Sequence, residues 1–197
     1  LPSIESSDVL SKLSLTKYEY FVVSAHREEN ISNPENFSNL MQSLNQIADV
    51  YHFPIIVSTH PRTQKMIDKM QIQMRPEVKF LKPMGFNDYN ALQLYSKSVL
   101  SDSGTISEES STLNFPALNL RQAHERPEAM EEASVMMVGL ELERVMQGLD
   151  ILADQSRGLD RLLNQVADYS MLNVSDKVVR IIHSYTDYVN RVVWKKY

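Results

Sequence analysis

The sequence predicts an α/β protein built on a doubly wound parallel sheet of about six strands, and three observations carry that expectation. Six short apolar or β-branched runs recur along the chain, separated by segments whose apolar residues follow helical spacing. This alternation is the mark of βαβ units, whose right-handed crossovers cover both faces of a parallel sheet with helices. Finally, three polar runs begin where strands end, which is the edge at which open α/β sheets bind ligands.

Taken in order, residues 4–13 form a short amphipathic helix. The aromatic and β-branched run 18–24 is the first strand, and it ends at Ala25-His-Arg-Glu-Glu-Asn30. Asn33-Pro34 opens a helix with proline at its first position. Phe37, Leu40, Met41, Leu44, Ile47 and Ala48 then keep the 3.6-residue period. Residues 54–58 are a buried strand, followed by Thr59-His-Pro-Arg62 and a helix packing through Met66, Ile67 and Met70. Residues 78–81 and 98–102 are the third and fourth strands, with a helix over 87–96 between them. The turn Ser101-Asp-Ser-Gly104 leads into a helix start bearing Ser107, Glu108 and Glu109. Strands five and six cover 117–120 and 134–138, the latter ended by Gly139.

Leu142, Val145, Met146, Leu149 and Leu152 predict the next helix, and Leu159, Leu162, Leu163 and Val166 predict another. A last helix runs over 175–194, with Val178, Ile181, Ile182, Tyr185, Val189 and Val192 on one face. At about 1.5 Å per residue it reaches roughly 30 Å, the width of a domain. Its apolar stripe reads either as ordinary core or as a crossing toward a partner domain. No repeat or linker divides the chain, so residues 1–197 are expected to be a single domain.

Composition bounds the function. The net charge is −5, from 20 basic and 25 acidic residues mixed along the chain, whereas a nucleic-acid binder needs a basic stripe. No run approaches the roughly 18 apolar residues of a membrane span. The absence of cysteine excludes disulfides and thiolate metal sites. The first residues show neither a basic start nor an apolar run. The expectation is a cytoplasmic protein without nucleic-acid or membrane partners.

Few single motifs point to chemistry. The five histidines show no metal-binding spacing, and there is no Walker loop, Gly-x-Gly-x-x-Gly or nucleophile elbow. The turn 101–109 is suited to an anion, because it sets small residues and a helix N-terminus together. Glu109 either accepts hydrogen bonds from ligand hydroxyls or, with Glu108, complements the helix dipole. Arg126 carries a planar fork for phosphate or carboxylate, with Glu125 and Glu128 as alternative partners. His26 and His60 each follow a strand, where imidazole serves as a proton carrier, an anion contact or a loop hydrogen-bonder. His52 and His183 lie on the expected helices and read as structural.

Together these segments resemble the C-terminal half of the non-hydrolysing UDP-N-acetylglucosamine 2-epimerase family. Ala25-His-Arg-Glu-Glu-Asn30 resembles its His-Arg-Arg-Glu-Asn motif, and Ser101-Asp-Ser-Gly-Thr-Ile-Ser-Glu-Glu109 its Thr-Asp-Ser-Gly-Gly-Ile-Gln-Glu-Glu. Glu125-Arg-Pro-Glu128 matches its Glu-Arg-Pro-Glu, with Val138-Gly139 at a fitting distance. The resemblance implies a Rossmann-like C-terminal domain of a glycosyltransferase-B-like enzyme, a UDP-sugar substrate, no metal or cofactor, and a homodimer when full-length. It implies C2 epimerisation of a UDP-N-acetylhexosamine, with loss of UDP to a glycal and its re-addition. Catalytic His26 would lie near the diphosphate and reacting sugar. Ser103, Gly104 and Arg126 would contact phosphate, Glu109 the ribose, and Phe86 and Tyr89 the uracil. Arg27 matches a substrate-binding position that, with His60, also touches a regulatory nucleotide sugar in some members. The remaining acid and base groups belong to an N-terminal domain, so this half alone is expected to be inactive.

Departures from the pattern are Glu28, Thr105, Ser107 and Gln122-Ala-His124. They resemble the branch that forms UDP-N-acetyl-L-fucosamine from a 6-deoxy-L-hexosamine precursor, and they put the regulatory site in question. The competing readings are the nucleotide-binding domain of a UDP-sugar glycosyltransferase and a non-catalytic nucleotide-binding domain.

Overall fold

Strands whose apolar residues run continuously must be covered on both faces, and the fold follows from that requirement. The computed structural model describes residues 2–123 and 125–197, with the side chain of Arg62 excepted. The strands are β1 (Phe21–Ser24), β2 (Ile55–Ser58), β3 (Val78–Leu81), β4 (Ser98–Ser101), β5 (Ala117–Asn119) and β6 (Met136–Met137). All pairings are parallel, in the order β3-β2-β1-β4-β5-β6. That order reverses between β1 and β4, which makes their carboxyl ends the topological switch point.

The helices are α1 (Pro2–Glu5), α2 (Val9–Lys12), α3 (Glu28–Ile31), α4 (Pro34–Tyr51), α5 (Pro61–Met70), α6 (Phe86–Leu94), α7 (Ile106–Leu113), α8 (Pro127–Glu131), α9 (Leu142–Ile151) and α10 (Val174–Tyr188). The first, expected as one helix over 4–13, is two short ones. The helix α4 is defined locally at both ends. Asn33 Oδ1 accepts from the N–H groups of Glu35 (2.9 Å) and Asn36 (3.3 Å), and Pro34 stands in the first turn. His52, expected within the helix, closes it in the left-handed conformation (φ 53°).

Side chains alternate across the sheet with period two. Phe21, Val23, Leu100 and Leu118 pack with Phe37, Leu40 and Leu44 of α4 and Val145 and Leu149 of α9. Val22, Ile56, Val99 and Ala117 face the other layer, with Ile4, Val9, Ala91, Leu92, Ile106 and Phe115. The helix α9 comes close to the sheet at Gly148: a Cβ there would lie 2.8 Å from Leu118 Cδ2 and 3.0 Å from Val138 Cγ1, so those side chains would have to shift.

The helix expected through 159–166 does not form. Leu159, Leu162 and Leu163 are exposed, and only Val166 of the four is buried. The segment is instead a strap held by side chains reaching backbone groups. Arg157 donates to the carbonyls of Ser96 (2.9 Å) and Lys97 (2.6 Å), and Arg161 to those of Ser111 (2.8 Å) and Thr112 (3.0 Å). Asn114 Nδ2 donates to the carbonyls of Gly158 (2.9 Å) and Asp160 (2.8 Å). These bonds to α7's last carbonyls and to the chain before β4 outweigh a helix of three exposed leucines.

One compact unit ends at Val166 and a second comprises Ala167–Tyr197. The second consists of a short 3-10 turn (Ala167–Tyr169), α10, and a π turn (Val189–Val193) that continues it. Val178, Ile181, Ile182, Tyr185 and Val192 on its apolar stripe are all exposed.

Candidate functional site

The loops leaving β1 and β4 meet at the switch point, and a buried carboxylate joins them. Asp102, fully buried just after β4, accepts from the backbone N–H groups of His26 (3.0 and 3.1 Å) and Arg27 (2.9 Å). It also accepts from Asn30 Nδ2 (3.0 Å), which donates as well to the Leu120 carbonyl (3.1 Å). His26 Nδ1 lies 3.5 Å from Asp102 Oδ1, with the imidazole half exposed. Asp102 and Asn30 together thus tie the ends of β1, β4 and β5.

A chain of charges lies above this knot. Arg27 meets Glu125 through two nitrogens (3.3 and 3.2 Å), and Glu125 also accepts from buried Arg121 (3.1 Å), which pairs with Glu29 (3.3 Å). The two guanidiniums, Arg121 first, hold the Glu125 carboxyl down at about 2. Gly104 lies beneath the Arg27–Glu125 pair, since a Cβ there would be 3.8 Å from each.

The turn after β4 is organised by its hydroxyls. Ser101 Oγ accepts from the Ser103 N–H (3.1 Å), and the Ser103 and Thr105 hydroxyls are 3.0 Å apart. Thr105 Oγ1 in turn donates to Glu109 Oε1 (2.9 Å). The first N–H groups of α7, with no intrahelical acceptor, open beside Ser103 and Gly104. Buried Gln93 of α6 donates Nε2 to Glu109 Oε2 (2.6 Å), so two protein donors fix that carboxylate. One turn earlier on α6, the Tyr89 hydroxyl is pushed up to about 12, chiefly by burial, while Ser24 hydrogen-bonds it. Phe86 opens the same helix and is exposed.

The expected residues therefore fall in three places. His26, Arg27, Gly104, Ser103 and Glu109 converge at the switch point, with Tyr89 and Phe86 on the neighbouring helix. Arg126 stands at the N-cap of α8 and pairs with Glu108 (3.0 Å), while Glu125, rather than partnering it by side chain, serves Arg27 and Arg121. His60 is exposed at the head of α5, beyond the end of β2. His124 lies outside the described residues, so the departure at Gln122-Ala-His124 is seen only at its first two positions. Beside His26, on the β2 side, opens a cavity of about 310 Å³ lined by Glu28, Ile31, Lys65 and Lys69 among others.

Gln93 is the residue that motif reading missed, and the roles of Asp102 and Glu125 were missed although both stand inside motifs. Gln93 acts on Glu109, 16 positions away, Asp102 on donors 72 to 76 positions away, and Glu125 on Arg27, 98 positions away, as well as on nearby Arg121. Among the described residues no group of three or more histidines and carboxylates is arranged to hold a metal ion. Nor, among the described residues, is any helix long and apolar enough to cross a membrane.

A parallel sheet in this strand order, with a hydroxyl-lined turn, helix N-terminus and arginines at its switch point, defines a doubly wound, Rossmann-like α/β domain whose switch point is suited to an anion. More particularly, the chain belongs to the UDP-N-acetylglucosamine 2-epimerase family, whose profile matches residues 2–183. The UDP-N-acetylglucosamine 2-epimerase of Methanocaldococcus jannaschii is 30% identical over 143 residues, 71% of this chain and 39% of that protein. The solved structure of the Rickettsia bellii enzyme of that name superposes with a TM-score of 0.86 at 41% identity, covering 98% of this chain and 52% of that one. The M. jannaschii enzyme in complex with UDP-GlcNAc and UDP gives 0.80 at 26% identity, covering 93% and 51%. The chain thus spans about half the length of these solved relatives.

Proposed function

We propose that this chain is the UDP-binding half of a UDP-N-acetylhexosamine 2-epimerase. The observation that carries this reading is the convergence of His26, Arg27, Ser103 and Gly104 at one topological switch point, with Glu109 fixed alongside by two donors. Ser103, Gly104 and the α7 N-terminus hold the diphosphate, and Arg27 and Arg126 add charge. Glu109 accepts from the ribose hydroxyls, and Tyr89 and Phe86 flank the uracil. His26 faces the diphosphate and the sugar.

In the full reaction the C2 proton is removed and the C1–O bond to UDP breaks, leaving a glycal. UDP then re-adds, and a proton returns to C2 from the opposite face. The groups that take and give that proton belong to an N-terminal domain, and the exposed apolar stripe of α10 supports a docking role against it. The chain alone binds UDP without turnover. The substrate is either UDP-GlcNAc/UDP-ManNAc or a 6-deoxy-L-hexosamine derivative, and Thr105, which bridges Ser103 and Glu109 where the family pattern has glycine, is among the departures that resemble the second branch.

The test is to incubate the full-length protein with UDP-N-acetylhexosamines of both series and no acceptor. The proposal expects a C2 epimer, with traces of glycal and UDP. Sugar transfer only when an acceptor is supplied would favour the glycosyltransferase reading instead.

A further inference from the structure

We infer that Asp102 is a positioning residue that sets the tautomer and orientation of His26. The inference deepens the proposed site and rests on His26 facing the ligand there. Asp102 is an acid with no exposure to water, and a buried carboxylate persists only where donors surround it. Its oxygens are unequally used. Oδ2 accepts from His26 N, Arg27 N and Asn30 Nδ2, whereas Oδ1 shares only the His26 N–H (3.1 Å). The remaining capacity of Oδ1 lies on the side where His26 Nδ1 stands, 3.5 Å away.

A neutral imidazole carries one N–H, and the nearest strong acceptor decides which nitrogen keeps it. Oδ1 draws the proton to Nδ1, and Nε2, on the far edge of the ring, is left with its lone pair for the ligand side. Glu28, Lys65 and Lys69 face His26 across the adjoining cavity, and none is held against Nδ1 as Asp102 is. The three donor bonds from the 26–30 loop add a geometric constraint, because they leave the His26 backbone little freedom to turn the ring away.

The experiment is a long-range ¹⁵N–¹H correlation spectrum of the ¹⁵N-histidine-labelled chain at about two pH units above the ordinary histidine value. His26 is assigned by loss of its signals in His26→Gln. The expected result is the Nδ1–H tautomer in the wild type and a switch toward Nε2–H in Asp102→Asn. There the amide oxygen can still accept the two backbone N–H groups, while its NH₂ donates toward Nδ1. An Nε2–H tautomer in the wild type overturns the inference. So does a folded Asp102→Asn that keeps Nδ1–H. Should that variant not fold, the wild-type tautomer decides alone. UDP added to the wild type separates this from the site reading: unmoved His26 ring signals would count against His26 facing the ligand, while the tautomer result stands for Asp102.

Discussion

Replacing Glu109 by alanine is the perturbation whose size the structure constrains best. The carboxylate accepts from Gln93 Nε2 at 2.6 Å and Thr105 Oγ1 at 2.9 Å, and two bound ribose hydroxyls would add to these. Hydrogen bonds to a charged group are each worth about 1.5–3 kcal/mol. The site is partly exposed and water competes, so we expect the low end, about 1.5–3 kcal/mol in total, or roughly 10- to 150-fold in the Kd for UDP. Stability should fall as well. Gln93 is buried with its Oε1 already without a partner, and losing the acceptor for Nε2 costs about 1–3 kcal/mol. Calorimetric titration of the chain with UDP, with urea unfolding alongside, measures both. A Kd within twofold of wild type in a folded variant would refute ribose contact. An equal loss of affinity for inorganic pyrophosphate would trace the effect to the Ser103–Thr105 turn instead.

Other outcomes follow from the same contacts. Glu125 is depressed by Arg121 and Arg27 to about 2 from 4.5, so the stability it contributes is present above about 4.5 and is lost as pH falls toward 2. Acid titration of Glu125→Gln should therefore show a shallower loss in that window, and an unchanged acid limb would contradict the pairing. Gly148→Ala gains about 1 kcal/mol of helix propensity but crowds Leu118 and Val138, at a cost of about 1–3 kcal/mol. The net should lower Tm by about 2–4 °C, and a higher Tm would show that α9 has room. Asn33→Ala removes the acceptor for two N–H groups and should cost about 1 kcal/mol in denaturant unfolding.

Much of the fold was legible because its determinants are local. Continuous apolar runs marked β1, β2 and β4, Asn33-Pro34 marked the start of α4, and the alternation of elements implied a parallel sheet. The 159–166 segment misled because Leu159, Leu162, Leu163 and Val166 have helical spacing, while Arg157, Asn114 and Arg161, which hold the strap, act on carbonyls elsewhere in the chain. The site divided in the same way. Ser103, Gly104 and Glu109 stand within one motif and could be grouped by eye. Asp102 sits in that motif too, yet its role depends on three donors 72 to 76 residues away. Glu125 offered itself as Arg126's neighbour, and only the meeting of the loops after β1 and β5 shows that it serves Arg27, together with Arg121 four residues before it. The apolar stripe of α10 was visible, but amphipathic spacing alone does not name the surface it covers.

The most direct test of the central claim is a chemical-shift map of the ¹⁵N-labelled chain titrated with UDP. The account predicts saturable changes at Ser103, Gly104, Thr105 and Glu109, at Phe86 and Tyr89, and at His26 and Arg27, with the far strap at 157–161 unmoved. Changes confined to Lys65, Met66 and Lys69, or none up to millimolar UDP, would contradict it.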